Sequence, residues 1–87
     1  MPSKKYIIAN WKMNLNLAQS VSLAKKFKEQ FAGFNQGEVV VCPSATALSE
    51  VNQVLRGSNI KLGAQNVFWE DSGPYMGEIS PSMLLEV

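Results

Sequence analysis

Three short apolar runs, two of them rich in Ile and Val, alternate along this chain with stretches patterned for helices, and that order leaves few folds open. The first run is Tyr6-Ile7-Ile8-Ala9 and the second is Val39-Val40-Val41-Cys42, closed by Pro43. The third is Ile60-Lys61-Leu62-Gly63-Ala64-Gln65. Runs of this length and composition read as buried strands. From Leu17 to Phe31 the period changes: Leu17, Val21, Ala24, Lys28 and Phe31 share one helical stripe, with Phe27 beside it. Lys25, Lys26 and Glu29 fall on the exposed side. Asn16 is placed to cap this helix with Gln19 as capping-box partner, and Gly33 to stop it. Thr46 to Leu55 reads as a second helix burying Ala47, Leu48, Val51, Val54 and Leu55, with Ser44 or Thr46 as its cap and Gly57 past its end. A turn-rich loop, Asn66 to Ile79, leads to Ser80-Pro81, an N-cap followed by proline at the first helical position. Met83, Leu84 and Leu85 begin a third helix.

Strands alternating with helices imply parallel pairing through right-handed crossovers. Two architectures satisfy this: an open doubly wound sheet, or part of a (β/α)8 barrel. A dinucleotide-binding sheet usually carries Gly-x-Gly-x-x-Gly after its first strand. Here the turn reads Asn10-Trp11-Lys12-Met13-Asn14, without glycine, which favours the barrel. A barrel of this class needs ~250 residues, so 87 residues make roughly a third of one. Three such units leave both sheet edges unpaired and one face uncovered. Residues 1–87 are therefore expected to be an incomplete, N-terminal part of a single barrel domain, with the third helix truncated.

Composition removes several function classes. Eight Lys and Arg against seven Asp and Glu give a net charge of +1, no electrostatic basis for a nucleic-acid or membrane-surface partner. The apolar stretch after Lys4 and Lys5 is shorter than the ~7–15 residues of a signal-peptide core, so a cytoplasmic location is expected. The lone Cys42 has no internal disulfide partner, and a reducing compartment fits it. It reads as a small core residue, since no base is evident beside it. The chain has no histidine, which excludes Ser-His-Asp and Cys-His catalysis within it.

The end of the first strand is where chemistry is most legible. If the strand continues, alternation puts Tyr6, Ile8, Asn10 and Lys12 on one face and Ile7, Ala9, Trp11 and Met13 on the other. The second face is apolar and suits packing on helices. The first becomes polar only at its C-terminal end, where parallel α/β proteins place their active sites. Lys12 offers a compact positive charge for a phosphate or a developing oxyanion, and Asn10 an amide donor. A purely structural account has Lys12 snorkelling from a strand end and Asn10 closing a turn.

The segment Ala9-Asn10-Trp11-Lys12-Met13-Asn14 resembles the hallmark that follows the first strand in the triosephosphate isomerase family. Gly63-Ala64-Gln65-Asn66-Val67 is similar to that family's third strand end, and Gly73-Pro74-Tyr75-Met76-Gly77-Glu78-Ile79-Ser80 to its long third loop. The blocks occur in the family's order and spacing. The resemblance implies a (β/α)8 TIM barrel that interconverts dihydroxyacetone phosphate and glyceraldehyde 3-phosphate through an enediol, with no metal or organic cofactor. It implies that Asn10 and Lys12 bind the phosphorylated triose. It implies that Gln65, Tyr75, Met76 and Gly77 belong to a homodimer interface, and that Glu78 pairs with an arginine beyond Val87. Family members use a Glu base and a neutral His electrophile under a closing loop. All of these follow later strands, so no catalytic residue is expected within these 87. One departure stands inside a motif: the family usually has threonine where this chain has Met76, which cannot donate the hydrogen bond that helps hold the partner's active site. The alternative from another class is a non-catalytic fragment or structural module that acts by pairing with a complementary polypeptide.

Overall fold

The structure is a computed structural model that describes residues 4–87. It has three strands, β1 (Tyr6–Asn10), β2 (Glu38–Cys42) and β3 (Ile60–Leu62), in the order β1-β2-β3 and all parallel. Three helices follow them in turn: α1 (Leu17–Gln30), α2 (Leu48–Leu55), preceded by a 3-10 turn at Ala45–Ala47, and α3 (Pro81–Glu86). The register pairs Tyr6 with Glu38 and Asn10 with Cys42 at the two ends of the first ladder, and Val39 with Ile60 in the second.

Alternation along each strand sorts the two faces. Val39, Val41 and Ile60 are buried under α1 and α2, together with Trp11, Ala24, Ala47, Val51 and Leu55. Tyr6, Ile8 and Asn10 lie in register with Glu38, Val40 and Cys42, and Ile8 is 62% exposed on a face that carries no helix. Val40 and Cys42 lie beneath Gly63, where an added Cβ would come within 2.9 Å of Cys42 Sγ and 3.2 Å of Val40 Cγ1.

Helix α1 begins as its sequence predicts. Asn16 Oδ1 accepts from the Gln19 N–H at 2.8 Å, and Gln19 Oε1 accepts from the Asn16 N–H at 2.9 Å. Its packed line keeps Ala24 and Phe31 of the expected stripe and Phe27 beside it, adds buried Ser20, and leaves Leu17 and Lys28 exposed; Phe27 and Phe31 are half-buried. Spacings of four, three and four still follow a helix face, but small residues hold its centre. Ser20 and Ala24 let the helix sit close to the sheet. The volume is then filled by an aromatic ladder, Trp11 edge-on to Phe27 at 6.2 Å, then Phe27–Phe31 at 5.7 Å and Phe31–Phe34 at 5.5 Å. After α1 the chain turns through Gly33 at φ +78°. The Asn59 amide donates to the carbonyls of Phe31 and Phe34 at 3.0 and 2.9 Å, partners that no local pattern indicates.

Two expected boundaries shift. The second helix is not capped by a side chain: Ser44 makes no cap bond, and its hydroxyl donates instead to the Lys12 carbonyl at 3.2 Å. The third strand ends at Leu62 rather than Gln65, although the Gly63 N–H still donates to Val41 O at 2.9 Å. Beyond that bond the chain leaves the ladder, and the Gln65 side chain rather than its backbone reaches β2. At α3 the expected cap is present, with Ser80 Oγ accepting from the Met83 N–H at 3.2 Å and Pro81 in the first turn.

The capping box makes a direct prediction. In a peptide spanning residues 14–32, Asn16→Ala is expected to weaken the helix by about 0.5–1 kcal/mol, read as lower helicity by circular dichroism, while Asn16→Gly costs only a few tenths. Equal helicity in all three peptides would contradict a working cap.

Candidate functional site

Parallel strands end on the same side, so the residues just past Asn10, Cys42 and Leu62 meet at one rim of the sheet. Asn10 closes β1, and its carboxamide oxygen accepts from the Lys12 N–H at 2.9 Å. That bond turns the chain off the strand. Lys12 takes φ +55° and Leu15 φ +74°, both left-handed. The expected alternation therefore ends at Trp11. Trp11 is 8% exposed against α1 as its face predicts, whereas Met13 is 95% exposed rather than packed.

A left-handed lysine costs about 1–2 kcal/mol, because its Cβ crowds the following carbonyl. The turn is held by several hydrogen bonds, each worth about 0.5–1.5 kcal/mol net. The Asn14 amide donates to Trp11 O at 2.9 Å. The Trp11 N–H donates to Cys42 O at 3.1 Å. Lys12 O accepts from Ser44 Oγ at 3.2 Å and from Gln65 Nε2 at 2.8 Å, and that same nitrogen donates to Cys42 O at 3.0 Å. Together they exceed the strain, so the conformation is imposed by the site. The Lys12 side chain is exposed, and among the described residues the ion pair found is Lys4–Glu38 at 3.0 Å, leaving the Lys12 ammonium without a carboxylate partner. With its oxygen engaged, Asn10 keeps its NH2 as a donor.

Of the other predicted residues, Gln65 lies at this rim, while Tyr75, Met76, Gly77 and Glu78 lie in the third loop. Tyr75 packs on Phe68 with ring centroids 4.5 Å apart, and Phe68 on Trp69 at 5.7 Å, yet Trp69 remains 78% exposed. The Phe68 N–H donates to Ile79 O at 2.7 Å, closing the loop on itself, and Asp71 Oδ1 accepts from the Ser82 N–H at 3.0 Å. The Glu70 carboxylate at the Tyr75 hydroxyl, with some burial, raises the phenol's pKa above its usual value. Met76 at the tip is fully exposed, followed by Gly77 at φ +78°. Glu78 is exposed and lines a shallow cavity of about 200 Å³ with Phe68, Tyr75 and Met83. Gln65, assigned to an interface by resemblance, spends its amide within the chain.

The family model described as triosephosphate isomerase matches residues 5–87. The chain belongs to the triosephosphate isomerase family. It is 49% identical over 84 residues to the triosephosphate isomerase of Dictyoglomus turgidum, covering 97% of this chain and 34% of that protein. It is 46% identical over 81 residues to the one from Endomicrobium trichonymphae, covering 93% and 32%. The crystal structure of triosephosphate isomerase from Bartonella henselae superposes with a TM-score of 0.87 at 37% identity, over 97% of this chain and 34% of that one. The chain thus spans about a third of the length of the curated relatives it matches, their N-terminal third, and supplies the first three strand–helix units of a (β/α)8 TIM barrel. This decides between the two architectures that alternation alone leaves open.

The sequence misses the contribution of Ser44 and of the Gln65 amide to the Lys12 turn. Only one signal was available: a polar amide at the end of an apolar strand, where a loop residue has no need of one. Among the described residues no helix is long and apolar enough to cross a membrane.

Cys42 is buried at the end of β2, and desolvation pushes its thiol pKa above the ordinary value. Its thiolate fraction at pH 8 is therefore below that of a free thiol. In the complete polypeptide carrying these residues, a disulfide reagent such as Ellman's is expected to label Cys42 more slowly than N-acetylcysteine, with the rate still climbing at pH values where the free thiol has levelled off. Labelling as fast as the free thiol would place Cys42 in solvent.

Proposed function

We propose that residues 1–87 form the N-terminal part of a single-domain (β/α)8-barrel triosephosphate isomerase, a cytoplasmic homodimer acting in glycolysis and gluconeogenesis. Its reaction is the interconversion of dihydroxyacetone phosphate and glyceraldehyde 3-phosphate by proton transfer through an enediol. The observation that carries this reading is the Asn10–Lys12 turn at the C-terminal rim of parallel strands, in a chain of this family. The Lys12 ammonium binds the phosphate and neutralises charge near the reacting oxygens. The Asn10 NH2 supplies a neutral donor beside it. At 4 Å a unit charge pair is worth about 1 kcal/mol in water and about 4 kcal/mol at an effective dielectric of 20. The ammonium is exposed here, so its charge acts at full strength only when further strands enclose the rim. Gln65, Tyr75, Met76 and Gly77 lie at or near the dimer contact, with Met76 replacing a hydrogen bond by an apolar contact. Glu78 pairs with an arginine supplied by sequence outside these residues.

The 87 residues alone are inactive on this reading. They contain no histidine to act as electrophile, and the base follows a later strand. A second reading, a non-catalytic module that pairs with a complementary polypeptide, is favoured by the uncovered sheet face bearing Tyr6 and Ile8.

In the complete polypeptide carrying these residues, Lys12→Ala is expected to lower kcat/KM for triose-phosphate isomerisation by about 100-fold or more. Normal turnover would sink the role given to Lys12. The isolated 87-residue chain is expected to show no isomerase activity, to lack a cooperative thermal transition and to associate through its strand edges. A monomer that melts cooperatively would support the independent module. Activity recovered on adding a polypeptide that covers the remaining strands would support the divided enzyme.

A further inference from the structure

We propose that Glu38 is the counter-ion of Lys61 inside the closed barrel, one carboxylate bridging Lys4 at the N-terminal mouth and a lysine on the interior face. Lys61 is the charged residue of β3. Its neighbours Ile60 and Leu62 pack against the core beneath the helices, so alternation turns Lys61 to the opposite, uncovered face. There it is exposed, in register with Val40 and, one strand further, Ile8. In a (β/α)8 barrel this face is the packed interior. Closure of the barrel therefore takes an ammonium out of water, and a buried ammonium needs a paired charge.

The side chain has two directions to run. Toward the rim the next residue on this face is Gly63, but the space there is taken: an added Cβ would stand 2.9 Å from Cys42 Sγ and 3.2 Å from Val40 Cγ1. Toward the other end lies Glu38, two residues before Val40 on the same face. One strand across, about 4.8 Å, and two residues back, about 6.6 Å, put the two Cα atoms roughly 8 Å apart, a gap that an extended lysine and a glutamate span. Glu38 is also the carboxylate that the three strands carry among the described residues. Its Oε1 meets Lys4 Nζ at 3.0 Å, which leaves Oε2 for a second donor. Lys4 stays at the mouth, with Nζ 5.8 Å from the Tyr6 ring centroid and most of its side chain in solvent. On the open sheet Lys61 is solvated; enclosure brings its ammonium to the carboxylate that already holds Lys4.

The test is thermal unfolding of the complete polypeptide carrying these residues. Glu38→Gln strands the Lys61 ammonium in the interior and is expected to lower Tm by about 6 °C or more. Lys61→Met removes the ammonium and keeps an apolar stem, so Tm is expected to stay within about 3 °C of wild type. In the Lys61→Met background, Glu38→Gln is expected to lower Tm by no more than about 2 °C, because only the exposed Lys4 pair is then lost. A Glu38→Gln chain that folds only once Lys61→Met is added supports the proposal equally. An equal loss from Glu38→Gln in both backgrounds overturns it, as does no loss in either, or a Lys61→Met chain that fails to fold. A crystal structure of the complete polypeptide is expected to place Lys61 Nζ within about 4 Å of a Glu38 carboxylate oxygen. An ammonium seated on a carboxylate from another strand overturns the proposal as well.

Discussion

The parallel ladder from Tyr6–Glu38 to Asn10–Cys42 is the constraint on which the other features depend. Parallel pairing brings every strand end to one side, which a hairpin never does. It therefore gathers Asn10, Cys42 and the segment after Leu62 at a common rim, although 55 residues of sequence numbering separate Asn10 from Gln65. It also forces the connections to cross back over the sheet, and α1 and α2 do so over one face. The register decides which side chains that face receives. A slip of one residue would carry Val39 and Val41 out of the core and put Val40 in their place.

Much of this was legible because it is local. Asn16 and Gln19 declare a helix start within four residues, and Ser80-Pro81 another. The apolar runs announce the strands, and the absence of glycine between Asn10 and Asn14 turns the architecture toward a barrel. What was illegible is long-range. Ser44 looks like a helix cap by type and position, and only the folded chain shows its hydroxyl on Lys12 O, 32 residues away. Gln65 reads as the end of a strand, yet the ladder stops at Leu62 and its side chain makes the connection. The α1 stripe placed Leu17 where Ser20 is the buried residue, because small Ser20 carries no hydrophobic signal. Close approach to the sheet selects size at that position, and a hydropathy pattern does not register size.

The same logic accounts for the open face. A parallel sheet is ordinarily covered on both sides. Here one side bears Tyr6 and Ile8 to solvent, with Lys61 in register with Val40. In a (β/α)8 barrel that side is the interior, filled by layers of side chains from alternate strands. Gly63 fits such a layer: it admits Val40 and Cys42, whose Sγ leaves no room for a Cβ. Small and large residues interlock there across the ladder, before any further strand is considered.

The rim differs from both faces in what holds it. The core is kept by burial, which is non-directional and tolerates shifts, whereas the Lys12 turn is kept by hydrogen bonds, which do not. Strain of about 1–2 kcal/mol at one lysine persists only when several directional contacts agree. Those contacts come from three parts of the chain: the Asn10 turn, Ser44 after β2 and Gln65 after β3. A charge intended merely for solubility needs no such agreement, since an exposed lysine in a relaxed turn would serve. The convergence of three segments on the backbone of Lys12, one at its N–H and two at its carbonyl, therefore fixes where this side chain leaves the rim, and not only that it is present there.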